Sequence, residues 1–294
     1  METVVSSATK ELRIGGDNPF CVIGERINPT GRKVFQEQLR AGDLSRIEID
    51  VAQQVAGGAM MLDVNMGAPL ADEAELMVAA VQLIQRRTDL PLCLDSSIIE
   101  VLEAGLAAYQ GKALVNSVTA EDERLDAILP LVRRHGAAVI ALPNDEEEIP
   151  EEPLRRLELV RKIVDVATGK FGIPIEDIVI DPLAMPVGAD TSLVLSTLET
   201  IRLVRDEFGL NMTLGASNVS FGMPDRGSIG AAFLPMAALS GLTSAIMDAR
   251  SPQLVRAVKA ADLLTNKDAW GASWIAAHRA AQAAQAQQAH AAGS

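Results

Sequence analysis

Seven short apolar runs of this chain end in an acid or an amide. The endings read Gly24-Glu25-Arg26-Ile27-Asn28, Leu62-Asp63-Val64-Asn65, Cys93-Leu94-Asp95-Ser96, Val115-Asn116-Ser117, Ile180-Asp181-Pro182, Ser217-Asn218-Val219-Ser220 and Met247-Asp248. Asp and Asn are poor strand formers, and a single one at a strand end usually serves as a helix N-cap. Seven at equivalent places point instead to one shared polar pocket. A carboxylate accepts two N–H bonds in a fork, and an amide both donates and accepts. Such a pocket suits a neutral heterocycle bearing several N–H groups, with Arg26 and Arg226 as the evident cations nearby. The histidines, His135, His278 and His290, fall in or after helical patterns, so zinc lacks its ligands. No metal is assigned; magnesium or calcium on the carboxylates is the alternative.

The runs that carry these endings lie at 20–25, 60–65, 91–96, 113–118, 137–143, 178–183, 212–218 and 245–248. Each is nearly continuous in hydrophobicity, the pattern of a strand buried on both faces of a parallel sheet. Amphipathic helical patterns separate them at 45–57, 71–87, 153–171, 191–208 and 252–264, with Pro153 and Pro252 suited to helix starts. Eight such units in 294 residues predict a (β/α)8 barrel over an open sheet. In a barrel the strand ends converge on one rim, where catalytic side chains sit. No G-x-G-x-x-G or G-x-x-x-x-G-K-[ST] is present, which removes dinucleotide and P-loop readings.

Composition agrees. Hydrophobic residues make up 48% and aromatics 3%, so the core must be Ala, Val, Ile, Leu and Met. The net charge of −13 disfavours nucleic acid. Cys21 and Cys93 lie inside apolar runs and are expected as buried reduced thiols. The first ten residues lack an apolar leader, and a cytoplasmic protein is expected. The charge-free stretch 227–247 reads as a buried helix and strand, not a membrane span, because it holds Pro235 and several Ser and Thr. Residues 1–19 form an N-terminal extension, 20–265 the barrel, and 266–294 a C-terminal helix with an Ala/Gln-rich tail. The tail from 280 is expected to fray, and the acidic loop 145–152 to be solvated.

A pterin presents the required edge, a 2-amino group beside ring nitrogens. The six motifs from Gly24-Glu25-Arg26-Ile27-Asn28 to Ser217-Asn218-Val219-Ser220, in that order, resemble those of the pterin-binding methyltransferases. The resemblance is strongest to the methyltetrahydrofolate:corrinoid protein methyltransferases. The folate domain of cobalamin-dependent methionine synthase is similar, and the likeness runs from about Phe20 to Leu264. It implies a TIM barrel of the pterin-binding, dihydropteroate-synthase-like kind. It also implies that Asp95, Asn116 and Asp181 hold the pterin and that Asn218 lies near its N5. Asn218, Asp95 and Asp181 would be the catalytic set. Asp63, Asn65, Ser217 and Arg226 would complete the pterin surroundings, with Glu25, Asn28 and Asp248 in support.

The implied substrate is tetrahydrofolate or 5-methyltetrahydrofolate. The implied partner is a corrinoid protein carrying cobalamin, since this chain has no Asp-x-His-x-x-Gly motif. Relatives of this kind are commonly homodimers, and transfer toward tetrahydrofolate would belong to O-demethylation of methoxylated substrates or demethylation of methylated amines. Direction is not encoded, because both directions share one transition state. Asp225 and Gly230 stand where relatives commonly have Asn, and Asp225 is expected to pair with Arg226 or a neighbour. Two other readings stay open: a non-catalytic folate-binding subunit, and a dihydropteroate synthase. The second is disfavoured because 217–220 carries no cation.

Overall fold

The computed structural model describes residues 1–147 and 149–292, with side chains through residue 283. Its centre is a parallel sheet of eight strands: β3 (Cys21–Ile27), β4 (Met61–Asn65), β5 (Leu92–Asp95), β6 (Leu114–Thr119), β7 (Ala138–Leu142), β8 (Ile178–Ile180), β9 (Asn211–Met212) and β10 (Ser244–Met247). From β3 to β9 each pairs with the next in sequence, and β10 pairs back to β3. The seam between β9 and β10 is narrow. The Ile246 amide donates to the Leu214 carbonyl at 2.9 Å, and Gly215 bridges Ile246. The sheet is thus a nearly closed (β/α)8 barrel, as expected.

Helices wrap it: α1 (Lys33–Arg40), α2 (Ser45–Gly57), α3 (Glu73–Gln85), α4 (Ile99–Ala108), α5 (Asp122–His135), α6 (Pro153–Asp165), α7 (Leu193–Phe208), α8 (Arg226–Ser240), α9 (Pro252–Leu264) and α10 (Ala272–Ala292). Pro153 and Pro252 do open α6 and α9. The charge-free stretch became α8 and β10, and no described helix is long and apolar enough to cross a membrane. The pattern at 153–171 divides: α6 stops at Asp165 and a π-turn follows over Val166–Lys170. There the Thr168 hydroxyl donates back to the Val164 carbonyl at 2.8 Å, and Gly169 is a poor helix former. The strand expected at 212–218 also shortens. After Met212 the chain reaches Gly215 and turns through a 3-10 turn, Ala216–Asn218.

The N-terminal extension, residues 1–19, packs onto the barrel. It forms an antiparallel hairpin, β1 (Glu2–Ser6) and β2 (Glu11–Gly15), seated across the N-terminal end of the barrel. Val5, Leu12 and Ile14 pack against Cys21, Ile23, Met61, Cys93, Leu114, Ala138, Ile140 and Val179. Both cysteines are buried free thiols, as expected. Of the tail, the chain stays helical through Ala292; residues 293–294 lie outside the described residues, as does Glu148 of the acidic loop. In that loop Asp145 accepts Arg155 at 2.7 Å, and Glu146 accepts the Asp122 amide at 3.0 Å.

Candidate active site

The interior apolar layer predicts the site by strand periodicity alone. Side chains alternate faces along a strand, so residues two apart share one. Two positions beyond Ile23, Met61, Cys93, Leu114, Ile140 and Val179 stand Glu25, Asp63, Asp95, Asn116, Leu142 and Asp181. All six line one cavity of about 360 Å³ at the C-terminal end of the barrel, together with Arg26, Asn28, Thr30, Arg32, Gly215, Ser217, Asn218 and Ile246. Glu25 and Arg26 are neighbours, yet both reach the cavity. The β3–β4 register shifts between Gly24 and Ile27, and such a bulge re-aims consecutive side chains.

One wall is acidic and cross-linked. Asn116 Nδ2 donates to Asp63 Oδ1 at 3.2 Å, and Asn65 Nδ2 donates to Asp95 Oδ2 at 2.9 Å. Burial, then the nearby Asp95 charge, pushes the Asp63 carboxyl well above the usual range. Burial also raises Asp95, against the hydrogen bond from Asn65. Asp181 is pushed up to about 6 by burial, against the Leu183 amide and the charge of Arg156. Arg156 itself is wholly buried. It donates to the carbonyls of Pro150 at 2.6 Å and Pro182 at 2.8 Å, beneath the loop that carries Asp181. Burial raises Glu25 too, against the Ser217 hydroxyl that donates to it at 2.9 Å. Four carboxyls of raised proton affinity in one cleft mark it as the candidate functional site.

Asn218 stands at the mouth, in the 3-10 turn set by its amide donating to the Gly215 carbonyl at 3.1 Å. Its own side-chain amide bonds to nothing among the described residues and is exposed. The wall is completed by Leu142 and Ile246, which offer apolar surface to a flat ring.

Of the residues read from sequence, Glu25, Asn28, Asp63, Asp95, Asn116, Asp181, Ser217 and Asn218 line the cavity together. Asn65, Arg226 and Asp248 do not. Asn65 stands behind Asp95 and orients it. Asp248 is bound by Arg250 at 2.7 Å. Arg226 donates to the Ser217 carbonyl at 2.6 Å and to the Ser220 hydroxyl at 3.3 Å, and so braces the turn that holds Asn218. The expected Asp225–Arg226 pairing is absent among the described residues; Asp225 sits in the left-handed region at φ 47° and begins α8. Gly230 serves packing: a Cβ there would come within 3.0 Å of Leu254 in α9. Sequence reading left out Arg32, Thr30, Leu142, Gly215 and Ile246, because it searched for polar strand ends. The period-of-two count from the interior layer would have found Leu142. Among the described residues no group of three or more His, Cys, Asp or Glu is arranged to hold a metal.

The chain is similar to several known proteins. Methionine synthase of Mycobacterium tuberculosis is 33% identical over 261 residues, which cover 84% of this chain and 22% of that protein. The chain thus spans about a fifth of the methionine synthases it matches. The methylcorrinoid:tetrahydrofolate methyltransferase of Eubacterium limosum is 29% identical over 253 residues, covering 84% of this chain and 92% of that one. The solved dihydropteroate synthase from Xanthomonas albilineans in complex with 7,8-dihydropteroate superposes with a TM-score of 0.69. At 21% identity, over 89% of this chain and 98% of that one, it shares the fold. The pattern of the pterin binding enzymes matches residues 24–248, from the strand that brings Glu25 to the residue just after β10, and the chain belongs to that family.

Proposed function

We propose that this protein moves a methyl group between N5 of tetrahydrofolate and the cobalt of a corrinoid carried by a separate protein. The observation that carries the reading is the pairing of a carboxylate wall with one unengaged amide, Asn218, at the mouth of the same cavity. The wall suits the donor-rich edge of a pterin. Asp95 and Asp181 accept its N–H groups, and Asn116 and Asp63 fix the ring's rotation within its plane. Asn65 and Arg156 hold the wall in place. The identity to the Eubacterium limosum enzyme along nearly its whole length supports the same assignment.

The chemical difficulty is N5. When the N5–methyl bond breaks, N5 keeps the electron pair and must gain a proton or a strong hydrogen bond. Asn218 has no proton to give at neutral pH. It can, however, rotate its free amide toward N5 as charge develops there, which stabilises the transition state more than the ground state. Glu25, raised by burial and bound by Ser217 beside Asn218, is a carboxyl that can hold a proton at that wall. A corrinoid supplies the nucleophilic cobalt(I) in one direction and the methyl donor in the other.

The decisive experiment adds cob(I)alamin and 5-methyltetrahydrofolate to the protein and follows the visible spectrum. Growth of the methylcobalamin band is expected. Folate binding without that band, even with a corrinoid protein supplied, would convert the reading to a binding subunit. Absence of any folate binding would reject the pterin pocket.

A further inference from the structure

Arg26 lines the cavity beside four carboxyls and pairs with none of them. Among the described residues its guanidinium makes no hydrogen bond or ion pair, and its Nε is buried without a partner. The backbone around it is nevertheless clamped. Its N–H donates to Gln54 Oε1 at 3.0 Å, and its carbonyl accepts Arg32 Nη1. Gly24 makes room for that clamp, since a Cβ there would lie 2.3 Å from Gln54 Oε1. The position is built, and only the charged end is left free.

The surrounding cations make that freedom costly. Burial first, then Arg250 and Arg32, press the Arg26 guanidinium toward its neutral form. Arg250 is matched by Asp248 at 2.7 Å and Arg32 by Asp50 at 2.8 Å. Among the described residues Arg26 has no ion pair of its own; Asp248 and Glu25 act on it only through space. A half-buried charge is normally paired or hydrogen-bonded, and five idle donors in a cavity wait for an anion of fork geometry.

We propose that Arg26 is the subsite for a carboxylate on the tail of the substrate, the glutamyl end of a folate. This rests on the folate reading above and deepens it. The two walls have opposite character. Asp63, Asp95 and Asp181 match the N–H edge of a pterin head, which a guanidinium would repel. The acidic end of the same molecule is what a free guanidinium at this cavity can take. Arg32, held by Asp50 and stacked 4.7 Å over the Phe35 ring, adds positive potential behind it.

The test compares two ligands by calorimetry: tetrahydrofolate, and 6-methyltetrahydropterin, which has the head without the tail. The wild-type protein should prefer the folate by at least about tenfold, the effect of one charge-assisted hydrogen bond. Arg26→Gln should erase that preference and leave the affinity for the tail-less pterin within about twofold. Arg26→Lys, which keeps the charge and loses the fork, should retain part of it, and raised salt should shrink the wild-type preference. A preference that survives Arg26→Gln, or an equal loss for both ligands, would overturn the subsite. A wild type that binds the pterin and shows no preference would overturn the subsite and leave the pterin pocket standing. A wild type that binds neither ligand would overturn both. Should Arg26→Gln fail to fold, the Arg26→Lys comparison and the salt series in wild type still decide.

Discussion

The two ends of the barrel are built from the same eight strands and treat polar groups in opposite ways. At the N-terminal end Asn211, Thr3, Lys112, Asp177 and Tyr109 are spent on structure. Asn211 donates to Thr3 Oγ1 at 3.0 Å and to the Ile14 carbonyl at 2.9 Å, and Thr3 donates to the Glu176 carbonyl at 2.6 Å. Lys112 meets Asp177 at 2.6 Å, and the Tyr109 hydroxyl donates to the Ser6 carbonyl at 2.8 Å. At the C-terminal end Glu25, Asp63, Asp95 and Asp181 share one cleft and are all raised by burial, as Asp177 is at the other end; among the described residues the Arg26 guanidinium has no ion pair and the Asn218 side chain no hydrogen bond. The groups left unengaged at the mouth, the Arg26 guanidinium and the Asn218 side chain, are the ones the proposed function and the Arg26 subsite draw on.

The largest effect should come from the mouth. Asn218→Ala is expected to lower the methyl-transfer rate by about 10²–10³, while pterin affinity stays within about tenfold. Single-turnover kinetics alongside a binding titration separate the two, and a near-normal rate would remove Asn218 from the N5 role. Next is Asp181→Asn, which keeps the shape and removes the charge. It should weaken pterin binding by about 1.5–3 kcal/mol, read by calorimetry; unchanged affinity would place the pterin elsewhere. At the other end, Asn211→Ala strips two buried hydrogen bonds from the hairpin. A loss of about 1–3 kcal/mol in urea unfolding, with pterin affinity unchanged, would confirm that the two ends do separate work. A binding defect in that variant would break the comparison.

The smallest effect is one of pH, and its sign differs between stability and binding. Asp181 titrates near 6 in the fold against an ordinary value of 3.8. Between those values the folded chain binds the proton and the unfolded chain has lost it, so this group's contribution to stability rises as pH falls through that window. Pterin binding needs the ionised form, so affinity should fall as pH drops through about 6. Titrations of wild type and Asp181→Asn between pH 5 and pH 8 should show a slope in the first and a flatter line in the second. Parallel slopes would assign the titration to another carboxyl, such as Glu25.

Some of the molecule was hard to read in one dimension for identifiable reasons. Helix α4 is apolar nearly all round and so shows no clean amphipathic stripe; α5 does bury a stripe of Leu125, Ile128, Leu129 and Val132, but Pro130 in its interior argues against a helix there. The hairpin 1–15 contains too few apolar residues to announce a core role; Val5, Leu12 and Ile14 count only because they meet the barrel floor. Arg226 and Asp248 have the residue types of a binding site, and their side chains are claimed by Ser217, Ser220 and Arg250 instead. Arg156 looks like an ordinary helix-surface charge, and the fold buries it beside Asp181.

What the order of residues settled was the fold and the identity of the polar rim. Eight continuous apolar runs, each buried on both faces, admit few arrangements once connections are short and right-handed. Asp, Asn or Glu at the end of seven of them marks one rim without any coordinates. What only the three-dimensional structure decided was which of those groups remain unpaired. A continuous apolar strand hides which face is the interior, and pairing depends on contacts between residues far apart in the chain. Asn65 meets Asp95, Asn116 meets Asp63, and Gln54 fixes the backbone of Arg26 from another element. Residue type sets what a side chain can bind, and tertiary neighbours set whether that capacity is already used.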